Sequence, residues 1–126
     1  MQHYHSLEEV SAHRPAFGAG KNAWLTVGVF DGVHRGHREI IRKLVNEAHA
    51  NQSPAVVLTF DPHPAAVLTG KEIRCLTTPD ERADLLGALG VDAVITQRFT
   101  AALSIATAHE YMSRLKETLG LRRLLI

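Results

Sequence analysis

Two histidines three residues apart, His34 and His37, stand in the segment of this chain that is best suited to chemistry. The ten residues 28–37 read GVFDGVHRGH and lie between an apolar run and an amphipathic pattern that predicts a helix. Residues three apart on a helix share a face, so a helix that starts near His34 turns both imidazoles the same way. The first turn of a helix favours anions, because its N–H groups are unpaired and carry partial positive charge. The pattern therefore predicts a polyphosphate site.

The chemistry that suits such a pair is attack on the α-phosphorus of a nucleoside triphosphate. Charge builds on the phosphate oxygens in that transition state, and donors such as His34 and His37 stabilise it. Gly36 lacks a Cβ, which lets a phosphate approach the backbone, and Gly28 and Gly32 loosen the preceding turn in the same way. The alternative is two surface histidines at a helix start, which the preceding Gly-x-Phe-Asp-Gly pattern disfavours.

A second segment that could contact a ligand covers residues 59–64, with the sequence TFDPHP. His63 is held rigidly between Pro62 and Pro64 on a loop at a strand end, and Phe60 could stack on a flat ring. Taken alone, the segment is better explained as a stiff turn with a solvated histidine and a core phenylalanine.

Other candidate residues allow more than one interpretation. Asp31 could hold a metal-bound water or orient His34, and it could equally be an acidic residue favoured by the helix dipole. Cys75 has no nearby partner and is interpreted as a small core residue rather than a nucleophile. Residues 18–21, GAGK, lack the pattern of a phosphate-binding P-loop and precede a strand instead of following one.

The composition excludes several classes of protein. A chain of 126 residues has room for one domain, and 45% hydrophobic with 21% charged residues is typical of a soluble globular protein. The net charge of +1 does not favour nucleic acid, and no apolar run approaches a membrane span. The single cysteine and the lack of a secretory signal predict a cytoplasmic location. Five histidines lie in polar surroundings and are expected at the surface: His3, His5, His13, His49 and His109.

Apolar runs alternate with helical patterns, which predicts an α/β fold with a mainly parallel sheet. The predicted strands are residues 23–30, 55–60, 91–96 and a last one that begins within 121–126. The predicted helices are residues 34–50, 78–90 and 107–119, the last two with capping boxes. The apolar stripe of the first helix consists of Ile40, Ile41, Leu44, Val45 and Ala48. Both motifs lie at carboxyl ends of strands, where ligands of such sheets bind.

The combined pattern resembles a known family. Segments 28–37, 59–64 and 76–82 are together similar to the N-terminal, FMN adenylyltransferase part of bacterial bifunctional riboflavin kinase/FAD synthetases, within the H-x-G-H nucleotidyltransferase superfamily. The resemblance implies a Rossmann-like parallel sheet, incomplete at the C-terminus, with an N-terminal segment over 1–22 and the front of the transferase domain over 23–126. It implies FAD synthesis, by transfer of AMP from ATP to FMN with Mg²⁺ and release of pyrophosphate.

The resemblance also implies roles for individual residues, by motif match. His34 and His37 would bind the ATP phosphates and stabilise the transition state. The phosphate turn would be shaped by Gly28, Phe30, Asp31, Gly32 and Gly36. The flavin-phosphate side would be formed in part by Asp61, Pro62, His63 and Pro64. No metal ligand is implied.

The chain departs from the family in one respect. In the family the strand at 123–126 continues into a Gly-x-Asp-Phe loop, and later come a Ser-Ser/Thr-x-x-Arg segment and a riboflavin kinase domain, none of which this sequence contains. We therefore expect a fragment that binds ATP weakly and turns over poorly alone. Two alternatives stay open: another H-x-G-H transferase that uses CTP, and a flavin- or nucleotide-binding module without turnover.

Overall fold

The computed structural model describes residues 1–12, 23–33, 35–72, 74–100, 110, 113–114 and 123–125. Its elements are β1 (Gln2–Tyr4), α1 (Leu7–Ala12), β2 (Trp24–Val27), α2 (Arg35–Ala50), β3 (Ala55–Asp61), α3 (Pro64–Thr69), α4 (Pro79–Ala88), β4 (Ala93–Arg98) and β5 (Arg123–Leu125). Several sequence predictions fall outside the described residues: those for His13, His34, His109, segment 18–21 and most of the helix at 107–119.

One parallel sheet contains all five strands, in the order β1-β4-β3-β2-β5. The predicted parallel α/β architecture is therefore confirmed. From β2 the chain moves to one side through β3 and β4, whereas β5 pairs with the opposite side of β2. The strand order thus reverses at β2, and the carboxyl end of this strand is the position where open α/β sheets bind ligands.

Alternate strand residues pack into two hydrophobic layers, one on each face of the sheet. In β3, Ala55 and Val57 belong to the layer covered by α2 and α4, whereas Val56 and Leu58 belong to the layer that includes Val10 of α1. Burial on both faces is the reason that β3 reads as a continuous apolar run in the sequence. No helix in the described part of the chain combines the length and apolarity that a membrane crossing requires.

The start of α4 follows from its sequence. The Glu81 N–H donates to the Thr78 hydroxyl at 3.1 Å, and the Thr78 N–H donates to the Glu81 carboxylate at 3.0 Å. This reciprocal pair is the predicted capping box, and Pro79 occupies the first helical position, where its missing N–H costs nothing. The predicted α4 is therefore confirmed.

Local features of the sequence were less informative about short elements. The strand β1 and the six-residue helix α3 were not predicted, and β2 ends at Val27 rather than at Phe30. The strand β1 has only three residues, two of them polar, and forms because it pairs with β4, about ninety residues away. Pairing partners so distant leave no periodic signal in a three-residue segment.

Three predictions about exposure were wrong. The side chain of His3 is only 15% exposed, because it lies against β4 instead of at the surface. Ile40 is 38% exposed and lies at the edge of the buried stripe of α2 rather than within it. Cys75 is an exposed free thiol on the loop before α4, not a core residue.

Candidate functional site

The turn between β2 and α2 has an unusual backbone. Phe30, Gly32 and Val33 have φ angles of 52°, 73° and 46°. A left-handed conformation is costly for a bulky or branched residue, about 1–3 kcal/mol each. Phe30 and Val33 are both buried in the hydrophobic layer next to α2, and this packing offsets the strain. Strained residues of this kind cluster at ligand sites, which fits the predicted role of the turn.

Phe30 connects the turn to His37. A Cβ on Gly28 would lie 2.8 Å from a ring carbon of Phe30, so only glycine leaves room for the ring at this position. The Phe30 ring meets the His37 ring edge-on, with 5.2 Å between centroids and 79° between planes. Gly28 therefore leaves space for the Phe30 ring, and the Phe30 ring positions the His37 imidazole on the first turn of α2.

Gly36 contrasts with Gly28. A Cβ on Gly36 would meet no atom within 4 Å, so the protein's own packing does not require glycine there. Open space at this point leaves the backbone accessible to a ligand. His34, the other predicted catalytic residue, lies outside the described residues, so its relation to His37 stays a prediction.

Beside the turn, a groove runs along the first two turns of α2. Its lining residues are Gly32, Val33, Arg35, Arg38, Glu39 and Arg42. Arginines three and four residues apart repel one another, and cations are unfavourable at a helix N-terminus. In the described part of the chain, no carboxylate lies within ion-pair distance of these three arginines. A bound polyanion would relieve this repulsion, so the groove can hold phosphates.

Asp31 ties the turn to the loop before α4. Its carboxylate accepts hydrogen bonds from the Leu76 N–H at 2.8 Å, the Thr77 N–H at 2.9 Å and the Thr77 hydroxyl at 2.8 Å. Burial raises the pKa of Asp31, but these bonds and the charge of Arg82 outweigh burial and bring the pKa below its ordinary value. The observed contacts of Asp31 are thus structural, and a role toward a ligand stays a prediction.

Arg82 was missed by the sequence reasoning, although it is only 2% exposed. Four groups surround its guanidinium, namely the Thr59 hydroxyl, the Phe60 carbonyl, the Thr77 hydroxyl and the Asp31 carboxylate, at 3.2, 3.3, 3.4 and 3.6 Å. These groups belong to the end of β3 and to the loops after β2 and before α4, so Arg82 joins all three segments. One signal could have revealed it: Leu86 lies four residues later, on the buried face of α4.

The second motif, residues 59–64, makes contacts with neighbouring parts of the protein. The ring nitrogen Nδ1 of His63 accepts a hydrogen bond from the Ala65 N–H at 3.0 Å and caps α3, in which Pro64 is the first residue. The Phe60 ring packs edge-on against Phe99, with centroids 5.6 Å apart. These contacts explain the segment without a ligand. Contact of Asp61, Pro62, His63 and Pro64 with a flavin phosphate stays a prediction.

The two motifs lie at the same edge of the sheet. The Gly28 N–H donates to the Leu58 carbonyl at 3.1 Å, and the Thr59 hydroxyl donates to the Val29 carbonyl at 2.7 Å. They open, however, into different recesses. Asp61 and Pro62 line a cleft together with His5, Pro79, Asp80, Thr96 and Arg98, and none of these residues lines the groove along α2.

The sequence of this chain is similar to those of known proteins. The FAD synthetase family matches residues 18–126. Bifunctional riboflavin kinase/FMN adenylyltransferases are similar to the chain: that of Listeria monocytogenes is 39% identical over 85 residues, and that of Escherichia coli K12 is 38% identical over 92 residues. These matches cover 66% and 72% of this chain but only 27% and 29% of the relatives. The relative from Pseudomonas fluorescens is 34% identical over 79% of this chain and 32% of its own length.

A solved structure shares the fold. A crystal structure described as a macrolide-efflux protein from Streptococcus pneumoniae matches with a TM-score of 0.77 at 22% identity. The match covers 98% of this chain and 39% of that one, and it bears on the fold alone. The sequence match to the FAD synthetase family covers most of this chain, including the turn at the end of β2. This chain belongs to the FAD synthetase family.

Proposed function

We propose that this chain carries the ATP-phosphate side of an FMN adenylyltransferase, which transfers AMP from ATP to FMN and releases pyrophosphate. The observation that carries the proposal is the position of the 28–37 segment at the carboxyl end of β2, where the strand order reverses. The family match and the names of the relatives support the same reaction.

In the proposed reaction an oxygen of the FMN phosphate attacks the α-phosphorus of ATP, and the bond from that phosphorus to pyrophosphate breaks. His37, held against Phe30, would donate to phosphate oxygens as their charge grows, and His34 would act beside it. Arg35, Arg38 and Arg42 would hold the phosphates that leave. No covalent intermediate with the protein is needed.

Mg²⁺ would neutralise the phosphates when it is bound, as in other phosphoryl and nucleotidyl transfers. Mg²⁺ prefers oxygen ligands and keeps several waters. Asp31 is occupied by protein donors, whereas Asp61 is exposed at the end of β3. Asp61 is therefore the carboxylate of the two motifs that is better placed to take such an ion.

The partners follow from the same proposal. ATP and FMN are the small-molecule substrates, and the relatives' names imply a riboflavin kinase region in the whole protein. The exposed free thiol of Cys75 fits a reducing compartment, which supports the cytoplasm as the location.

The experiment mixes the chain with FMN, ATP and Mg²⁺ and follows FAD by chromatography. The whole protein should form FAD with ATP, whereas replacing ATP with CTP should give no product; a product with CTP would support the other H-x-G-H transferase. Robust turnover by the 126-residue chain alone would contradict the expectation that later segments are required. Calorimetric binding of FMN and ATP without any product, in the whole protein, would support a binding module.

The variant His37→Ala tests the central residue in the whole protein. We expect kcat to fall about 10²–10³-fold, the loss typical of one donor to a developing oxyanion. His49→Ala is the matched control, because His49 lies at the other end of α2 and pairs with Asp92 at 2.7 Å. An unchanged kcat in His37→Ala would remove His37 from the mechanism.

A further inference from the structure

A cluster of side chains able to bind a metal lies beside the cleft that Asp61 and Pro62 also line. His3, His5 and Asp80 each offer a ligand atom, and these atoms lie within 4.8 Å of one another. His3 is on β1, and His5 lies in a bend directly after that strand. Their rings are 4.5 Å apart between centroids. Asp80 lies in the first turn of α4, which is distant in sequence from both histidines.

The buried member of the cluster is oriented by a second contact. The Nε2 atom of His3 lies 2.7 Å from the Thr96 hydroxyl, which fixes the ring and leaves Nδ1 directed at the Asp80 carboxylate, 3.4 Å away. Metal-bound histidines in proteins nearly always have such a partner on their second ring nitrogen. Two ligands of a tetrahedral ion with bonds of about 2.0–2.1 Å lie about 3.4 Å apart, so this pair already has the spacing of ligands to one ion.

The charge around the cluster also suits a cation. The carboxylates of Asp80, Glu9 and Asp84 lie close enough to His3 to act on it electrostatically, so they give the cluster a negative field.

We propose that His3, His5 and Asp80 form a binding site for a divalent transition-metal ion of the Zn²⁺ type, which ties β1 to α4. Two imidazoles and one carboxylate are ligands typical of Zn²⁺, whereas Mg²⁺ takes oxygen ligands alone, so this ligand set differs from the one expected for the metal of the transfer reaction. The side chains of His5 and Asp80 are 63% and 86% exposed, which leaves them free to close on an ion. The Glu9 carboxylate lies beside the cluster, where it accepts a hydrogen bond from the His5 N–H at 2.9 Å and lies 3.7 Å from Nδ1 of His5.

The test measures Zn²⁺ binding to the chain after treatment with EDTA, by calorimetry and by competition with a coloured chelator. We expect one ion per chain and a rise in the thermal midpoint on addition of Zn²⁺. The visible spectrum of bound Co²⁺ should show tetrahedral coordination. His5→Gln and Asp80→Asn alter exposed side chains, so both variants should fold and lose the site.

Two further variants separate the site from unspecific binding. Thr96→Val keeps the shape of the side chain but removes the contact to His3, and the affinity should fall about 10–100-fold. His49 pairs with Asp92 and does not belong to the cluster, so His49→Gln should bind Zn²⁺ like the unaltered chain. The proposal is overturned if no stoichiometric Zn²⁺ binding occurs, or if His5→Gln and Asp80→Asn bind as tightly as the unaltered chain.

Discussion

Replacing Arg82 with methionine tests the framework beneath the site. Methionine fills the space of the arginine stem but supplies no donor, so Arg82→Met breaks all four polar contacts of the guanidinium. The carboxylate of Asp31 would then lose its only cationic partner among the described residues. The three segments that Arg82 joins would be held by the remaining hydrogen bonds alone.

The structure sets the size of the effect. Removing one partner of a buried charge pair costs about 3–5 kcal/mol. Asp31 is 21% exposed and keeps three protein donors, so we expect the lower end, about 3 kcal/mol of unfolding free energy. Arg82→Lys keeps the charge but reaches fewer acceptors, so it should cost about 1–2 kcal/mol.

Urea unfolding followed by circular dichroism measures this loss. With a slope of about 1.5 kcal/mol per molar urea, a loss of about 3 kcal/mol lowers the midpoint by about 2 M. The matched control is Arg74→Met, the same substitution at an exposed loop position, which should stay within about 0.5 kcal/mol of the unaltered chain.

Equal urea midpoints for Arg82→Met and Arg74→Met would show that the polar contacts of Arg82 do not stabilise the fold. The double variant with Asp31→Asn should lose less than the sum of the two single losses, because each substitution removes the same interaction. If Arg82→Met does not fold, the smaller loss in Arg82→Lys and its coupling to Asp31→Asn supply the same test.

Three further predictions concern the turn and the helix cap. Gly28→Ala should lower the free energy of unfolding by about 1–3 kcal/mol, because the added Cβ would displace the Phe30 ring. Gly36→Ala should keep the thermal midpoint of the unaltered chain and weaken ATP binding measured by calorimetry. Equal thermal midpoints for the two variants would contradict this prediction. Thr78→Ala should cost about 1 kcal/mol in urea unfolding, and Thr78→Ser should restore most of it. The lowered pKa of Asp31 means that its contribution is complete above about pH 5 and is lost as the pH falls below about 4. The difference in unfolding free energy between the unaltered chain and Asp31→Asn should therefore shrink from pH 7 to pH 3, and a constant difference would contradict the assignment.

The long elements could be predicted from sequence because their signals are local. The apolar stripe of α2, the capping box of α4 and the apolar run of β3 are each formed by residues that are close together in the sequence. Residue type and spacing predicted roles for His37 and Gly36, and these roles stay predictions. The buried position of Arg82 was not predicted, because Arg82 looks like an ordinary charged helix residue in the sequence.

Residue order alone determined the α/β class, the parallel strands and the place of the H-x-G-H segment after the strand β2. These depend on periodicity and on turn chemistry, which act between neighbours. Three other features depend on contacts in the folded protein: β1 joins the sheet, the strand order reverses at β2, and His3 lies next to Asp80. Those contacts join residues tens of positions apart, and their stability comes from burial and pairing in the folded sheet, which no single segment encodes.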